Sequence, residues 1–155
     1  MTRESFYNDR RKERKIDFLA DIRVVRKYFC RKHDLQPGDF EFLCKLHQID
    51  KFIYKDFEEN EYTLCWNKHR WDDLKAKDWI VVWRDRKPSE GRNYKIYTIS
   101  RKAKRMIDDC YKILCGELPI PEETRINPIM KEESYNDKRY AKAIRMFNAA
   151  RNKKD

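Results

Sequence analysis

The sequence predicts a mainly α-helical protein with a small β-hairpin, an α+β fold. Apolar residues recur at spacings of three and four in several segments, which is typical of helices with one buried face. Between residues 79 and 99 this period is replaced by two short runs of β-branched and aromatic residues, which favour strands. The length of 155 residues allows one compact domain with helical extensions, and is too short for two full domains.

The N-terminal half is predicted to contain two helices and a short strand. An amphipathic helix is expected from residue 16 to about 33. A break at 36–39 precedes a second helix over 40–48, for which Asp39 is a plausible N-cap. Residues 51–57 predict a short strand that leads into a helical turn. The first helix has the apolar positions Leu19, Ile22, Val25 and Phe29.

A third strong helical pattern begins at residue 66 and ends near 77, with Trp71 and Leu74 facing inward. Two strands follow, over 79–83 and 94–99. The loop between them, residues 84–93, consists of turn-forming and basic residues. The sequence therefore predicts a long hairpin with a positively charged tip.

The hairpin is followed by a helix over residues 101–115, for which Ser100 is a natural N-cap and Gly116 a natural end. Prolines then indicate an extended linker. The predicted organisation is a basic flexible arm (1–15), a domain with flanking helices (16–115), a linker (116–134), a C-terminal helix (135–151) and a tail (152–155).

Composition excludes several classes of protein. No run of 18 uncharged apolar residues exists, so we expect no membrane-spanning segment, and the first residues do not resemble a signal peptide. With three glycines, a Gly-rich phosphate-binding loop is not expected. An aromatic content of 14% argues against disorder throughout. A cytoplasmic location is expected.

The five cysteines are expected to be small, reduced core residues, because their number is odd and no pair has close spacing. The three histidines do not pair with cysteines at zinc-site spacings, so no metal is expected. No Ser/His/Asp set or paired carboxylates are evident. The chain is therefore not expected to be an enzyme or to carry a cofactor.

Positive charge is concentrated in one block of the chain. Lys and Arg total 37 against 27 acidic residues, a formal net charge of +10. Residues 66–105 hold thirteen basic and five acidic residues and all four tryptophans, whereas residues 36–65 hold three basic and seven acidic ones. This uneven distribution predicts an acidic partner, and nucleic acid is the first candidate. A merely solvated basic face is the alternative.

The predicted order of elements is that of a winged helix-turn-helix. Within it, residues 74–99 resemble the wing region of the MarR (multiple-antibiotic-resistance regulator) family. In that family a Gly-Leu-Ile-type strand start follows the recognition helix, the wing contains Asp-x-Arg, and the next strand ends in Leu-Thr. The corresponding residues are Asp78-Trp79-Ile80, Asp85-Arg86 to Gly91-Arg92, and Tyr97-Thr98-Ile99-Ser100.

The resemblance covers roughly residues 17–115. It departs from the family at Asp78, where glycine is usual, and in the short acidic helix that precedes the recognition helix. It implies a DNA-binding transcriptional regulator whose flanking helices form a two-fold homodimer, with a small-molecule effector possible. The expected dimer contacts are Leu19, Ile22, Val25, Phe29, Cys110, Leu114, Tyr140, Ile144 and Phe147. Packing of the last three residues on the same chain is the alternative.

The expected DNA contacts fall into two sets. The N-terminal part of helix 66–77 would face base edges in the major groove, where Arg suits guanine and Asn suits adenine. The wing would contact the backbone or the minor groove. The base-contact set is Asn67, Lys68, His69, Arg70 and Asp73, and the wing set is Arg84, Arg86, Lys87, Arg92, Asn93 and Lys95.

Other interpretations of these residues stay open. The chain could be a non-enzymatic interaction or assembly module, viral or cellular, that binds nucleic acid without sequence preference or meets an acidic protein. Charges on the hairpin could serve only to prevent edge-to-edge aggregation. The tryptophans could stack on single-stranded bases, although Trp71 and one strand face are expected in the core.

Overall fold

A computed structural model describes residues 18–64, 67–85 and 95–152. The predicted mainly α fold with a β-hairpin is confirmed. The described residues form six α-helices, a short 3-10 helix and a three-stranded antiparallel sheet. The elements are α1 (Phe18–His33), α2 (Pro37–Ile49), β1 (Lys51–Phe52), α3 (Tyr54–Leu64), α4 (Lys68–Ala76), β2 (Ile80–Asp85), β3 (Lys95–Ile99), α5 (Arg101–Leu114), the 3-10 helix (Pro128–Lys131) and α6 (Tyr135–Asn152).

The sheet has the order β1-β3-β2, so the hairpin strand β3 lies in the middle. Lys51 of β1 pairs with Thr98, and Ile80 of β2 pairs with Ile99. The register of β2 shifts between Val82 and Arg84, which places Trp83 in a β-bulge. The element order from α2 to β3 is compatible with a winged helix. The predicted arm at 1–15 lies outside the described residues.

The prediction of Asp39 as an N-cap is wrong. Helix α2 begins three residues earlier than predicted, with Pro37 in its first turn and Gln36 as the N-cap. Proline fits this position because its fixed φ suits a helix and it has no N–H that would be left unpaired. Asp39 consequently lies within the first turn, where its side chain is buried.

The centre of the core is the indole ring of Trp71. Among the described residues, five aromatic rings surround it at centroid distances of 5.0 to 6.4 Å, and all five are tilted or edge-on to it. Edge-to-face contacts of this kind add to the free energy gained by burying the rings. The cluster joins α2, β1, α3, α4 and β3, since its other members are Phe42, Phe52, Tyr54, Phe57 and Tyr97.

Helix α4 ends in a Schellman-type turn centred on Asp78. The N–H of Asp78 donates to the carbonyl of Lys75, and the N–H of Trp79 donates to the carbonyl of Leu74. Asp78 has a φ of 60°, in the left-handed region that favours glycine. This geometry explains why a glycine would suit the position, and it reverses the chain so that Trp79 enters the core.

Helix α1 packs against both α5 and α6, and Arg151 of α6 links the three helices. Its guanidinium donates to the carbonyl of Leu114 at the end of α5 and to the Asp21 carboxylate of α1, at 2.8 and 3.3 Å. It also lies 4.1 Å from the ring centroid of Phe147. A cation at this point stabilises the carbonyl end of α5, where the helix dipole is negative.

The segment between α5 and α6, expected as an extended linker, is fastened to the core. The side-chain amide of Asn148 both donates to and accepts from the backbone of Ile120, at 2.8 and 2.9 Å. Asn127 is fully buried and donates to the carbonyl of Pro121. Ile120 and Ile129 are buried as well. Satisfied buried amides of this kind fix a backbone path without regular secondary structure.

Three of the four described cysteines pack inward as expected, and Cys115 is exposed. Burial raises the pKa of Cys30 and Cys44 to about 11 and that of Cys110 to about 12. These thiols therefore stay protonated near neutral pH and behave as small apolar residues. Cys65 lies outside the described residues.

We predict that Trp71→Ala lowers the free energy of unfolding by about 3–5 kcal/mol, because it removes the ring on which five others pack. Urea denaturation at pH 7 measures this change. Trp83→Ala is the matched control, since half of the Trp83 surface is exposed. Equal losses in the two variants would contradict the central role of Trp71.

We also predict that Asp78→Gly raises the free energy of unfolding by up to about 1 kcal/mol, because glycine adopts positive φ without steric cost. The control is Asp72→Gly, which removes the same charge from the exposed interior of α4. That change is expected to lower stability by about 0.5–1 kcal/mol. A shift of both variants in the same direction would show that charge, and not backbone conformation, determines the result.

Candidate nucleic-acid interface

Helix α4 has one face held by the core and another open to solvent. Trp71 and Leu74 are buried, as predicted. Asn67 is the N-cap, and its side-chain oxygen accepts a hydrogen bond of 3.2 Å from the N–H of Arg70. This cap occupies the oxygen that a bidentate contact with adenine would use. Lys68, His69, Asp72 and Asp73 are exposed along the helix.

Arg70 differs from the other expected base contacts because its guanidinium is bound within the chain. It donates to the side-chain oxygen of Gln36, and its Nη1 lies 3.6 Å from Oδ2 of Asp39. Both partners belong to the start of α2. The side chain of Asp39 is only 8% exposed, and its Oδ1 has no hydrogen-bond partner within the described part of the chain. Arg70 thus links α4 to the start of α2.

The position of Asp39 has an electrostatic consequence. Burial raises the pKa of its carboxyl group above the ordinary value, although Arg70 and the N–H of Gln36 act in the opposite direction. The raised pKa means that the folded state binds the proton more tightly than the unfolded state does. Stability from this group is therefore lost as the pH rises through the interval between the ordinary and the raised pKa.

We accordingly predict that Asp39→Asn unfolds at a higher urea concentration than the wild type at pH 7, because it removes a buried charge that its neighbours do not fully compensate. The difference should shrink as the pH falls toward 3.8, the ordinary aspartate value, where Asp39 becomes neutral. Urea titrations at several pH values measure it.

The matched control for this prediction is Asp137→Asn. Asp137 is also buried, but its Oδ2 accepts a hydrogen bond of 3.0 Å from Arg31. Loss of that charge-assisted bond is expected to lower stability at pH 7. If Asp39→Asn instead destabilises the protein as Asp137→Asn does, the Arg70 pair outweighs the cost of burial.

The hairpin carries exposed side chains beyond the core. Arg84, Asp85 and Lys95 are exposed, and Asp85 lies opposite Lys95 across the two strands. Trp83 is half exposed at the bulge, with the ammonium group of Lys51 4.2 Å from its ring centroid. The other expected wing contacts, Arg86, Lys87, Arg92 and Asn93, lie outside the described residues.

The start of α5 contributes further cations. Ser100 caps this helix as predicted, accepting from the N–H of Ala103 at 3.2 Å. Lys102 is held internally, because its ammonium donates to the carbonyl of Lys77 and lies 4.0 Å from the Trp79 ring centroid. It thus connects the end of α4 to α5. Arg101, Lys104 and Arg105 are exposed, as Lys102 is, and no ion pair is formed by them within the described residues.

Most of the apolar residues expected at a dimer interface lie in the core of the single chain. Val25, Phe29 and Ile144 are almost fully buried, and Cys110 and Phe147 are buried as well. Ile22, Leu114 and Tyr140 are partly buried, whereas Leu19 is 65% exposed. The buried members of this set therefore pack within the single chain, where α1 meets α5 and α6. A dimer contact through the partly exposed members stays a prediction.

The arrangement brings α4, the hairpin and the start of α5 together, but some of its contacts could not be read from the sequence. The partners of Arg70 lie more than 30 positions earlier in the chain, and no local pattern marks them. The internal contacts of Lys102 were missed for the same reason. The described residues contain no group of three His, Cys, Asp or Glu side chains placed to hold a metal ion. Within them, no helix is long and apolar enough to cross a membrane.

Comparison with known proteins returned no matching family model, no similar curated protein and no similar solved structure.

Proposed function

We propose that this protein is a sequence-specific regulator that binds double-stranded DNA, with α4 in the major groove and the hairpin on the backbone or in the minor groove. The observation that carries the proposal is the orientation of α4. Trp71 and Leu74 fix one face of the helix, so that Lys68 and His69 project from its first turn into solvent. A recognition helix needs this combination of a held inner face and polar side chains near its N-terminus.

The surroundings of α4 support the same function. Arg84 and Lys95 on the hairpin and Arg101 at the start of α5 are exposed cations on elements next to α4 in the chain. Phosphate contacts from such residues give affinity and fix orientation, whereas base contacts give specificity. The order of elements and the likeness of residues 74–99 to the MarR wing fit this division, and a nucleoid-associated location would follow from it.

The residues proposed to contact bases are Lys68, His69 and Asp73, with Asn67 contributing its amide donor. Lys68 suits the guanine acceptors, and Asp73 suits a cytosine amino group. Arg70 has a different role in this proposal, since its bonds to Gln36 and Asp39 set the position of α4 against α2. Replacing it should therefore change stability as well as recognition.

A two-fold homodimer and a small-molecule effector remain part of the proposal. A dimer would match two half-sites about one helical turn apart. It would need apolar surface outside the shared core of α1, α5 and α6. Such surface exists at Leu19, Tyr135 and Met146, each of which is largely exposed.

The second candidate function is an interaction module without sequence preference. The exposed Val82 and Trp83 on the hairpin favour it, because apolar side chains on an edge strand can meet a protein partner. The carboxylates of Asp72 and Asp73 on α4 also weaken attraction to phosphate. This candidate predicts binding that is independent of DNA sequence, or a stoichiometric protein partner.

Selection of bound fragments from random duplex DNA, at two salt concentrations, tests the proposal. We expect an enriched motif, and two half-sites in it would show a dimer. His69→Ala should reduce the preference for the correct base at one position of the motif by about 1–3 kcal/mol, because a directional contact with that base is lost. Arg84→Gln should weaken binding to every sequence and reduce the salt slope by about one unit.

Arg145→Gln is the control for charge, since Arg145 lies on α6 and pairs with Glu132 at 3.3 Å. It should leave both the motif and the slope unchanged. Recovery of fragments without any motif, combined with equal affinity for all sequences, would reject the specific regulator in favour of the interaction module.

A further inference from the structure

A groove between α1 and α6 is used by none of the DNA contacts proposed above. It consists of two neighbouring cavities that share Lys27 and Tyr140. The first, of about 510 Å³, extends to the turn after α1 and includes Leu35 and Pro37. The second, of about 490 Å³, lies beside Arg23 and Arg139. Each cavity is large enough for a small ligand or for part of a longer one.

The second cavity is lined by three cations and no carboxylate: Arg23, Lys27 and Arg139. Lys27 and Arg139 lie over tyrosine rings, at 5.2 Å from the Tyr140 centroid and 5.9 Å from the Tyr135 centroid. Within the described residues, none of the three cations has a carboxylate within ion-pair distance. Cations on helices are commonly solvated, but convergence on one concave surface raises the local potential and attracts anions.

The first cavity is also positive at its wall, although its cations are partly compensated. Arg26 pairs with Glu41 at 2.6 Å and Arg31 pairs with Asp137 at 3.0 Å, and Asp34 lines the same cavity. The more strongly cationic end of the groove is therefore the second cavity. An anionic ligand should be held there and extend toward the first.

The spacing of the cations favours an extended ligand with repeated charges. Arg23 and Lys27 lie four positions apart on one face of α1, a rise of about 6 Å. Arg31 continues the row at the same interval, although it is paired with Asp137. Arginine binds phosphate with its planar fork, and it supplies most of these cations. A nucleic-acid strand carries a phosphate at every nucleotide and so presents repeated charges to such a row.

One end of the groove also lies close to α4, the proposed recognition helix. Leu35 and Pro37 of the first cavity flank Gln36, whose side chain accepts a hydrogen bond from Arg70 of α4. We propose that the groove is a second nucleic-acid contact, in which Arg23, Lys27 and Arg139 bind phosphates of DNA that extends beyond the site contacted by α4 and the hairpin. This assignment rests on the proposed function for the identity of the polyanion.

The test compares two duplexes, one limited to the selected site and one extended by about one helical turn, roughly 10 base pairs, at each end. The wild type should bind the extended duplex more tightly and with a steeper salt dependence. The double variant Arg23→Gln/Arg139→Gln should lose this gain. Its salt slope should fall by about two units on the extended duplex, at about 0.9 per phosphate contact, and should stay the same on the short one.

Arg145→Gln again serves as the matched control, because it removes an arginine of α6 that lies outside the groove. It should keep the gain from the extended duplex. The urea midpoints of the variants, measured in parallel, separate a binding effect from unfolding. An unchanged salt slope of the folded double variant on the extended duplex would overturn the assignment.

The two proposals fail in distinguishable ways. One outcome is that the selection yields no sequence motif, while binding still depends on duplex length and this dependence disappears in the double variant. It would reject the specific regulator and retain the groove as a nucleic-acid contact. A motif with no effect of the double variant would keep the regulator and reject the groove. A further outcome would assign the groove to another anion and overturn this inference. In it, inorganic tripolyphosphate or polyglutamate protects the wild type against heat but does not protect the double variant, and the double variant keeps the salt slopes of its DNA binding. Absence of any duplex binding would overturn both proposals.

Discussion

The packing of five aromatic rings on Trp71 is the interaction on which the rest of the structure depends. Helix α4 has only nine residues, which is too short to persist in water without tertiary contacts. Its position is set because Trp71 contacts rings from α2, β1, α3 and β3 at once. The same ring therefore holds the sheet against the helices and orients the side chains of α4 that are available to a ligand.

Two polar contacts complete this placement at the ends of α4. Near its start, Arg70 binds Gln36 and Asp39, and just after its end, Lys102 donates to the carbonyl of Lys77. The first contact carries the cost of a buried carboxylate whose Oδ1 lacks a partner within the described residues. Aromatic packing fixes which face of the helix is inside, and these bonds restrict its rotation and tilt. The proposed contact with DNA bases would need both.

Much of the fold could be predicted from the sequence because it depends on local periodicity. The helical stripes, the β-branched run at 80–82 and the cap at Ser100 are local signals, and each of these elements is confirmed. The errors arose where distant residues decide the outcome. The apolar stripe of α1 indicates a buried face, but periodicity does not say whether the face is covered by the same chain or by a second copy. The N-cap was wrongly predicted at Asp39, and the ion pair of Asp39 with Arg70 was not predicted, because it joins segments far apart in sequence.

The charges of α4 suggest how affinity and specificity are divided. Its exposed acids, Asp72 and Asp73, largely offset Lys68 and Lys75, and Arg70 is bound within the chain. In the proposed DNA complex the helix would therefore add little to general attraction for phosphate. The hairpin, the start of α5 and the groove between α1 and α6 would supply it. Carboxylates on a recognition helix repel the phosphate backbone of DNA and accept a hydrogen bond only where a base offers a donor. They would therefore disfavour binding in an incorrect register along the duplex. In the proposed complex, affinity for phosphate and selection of bases would thus come from different elements of the fold.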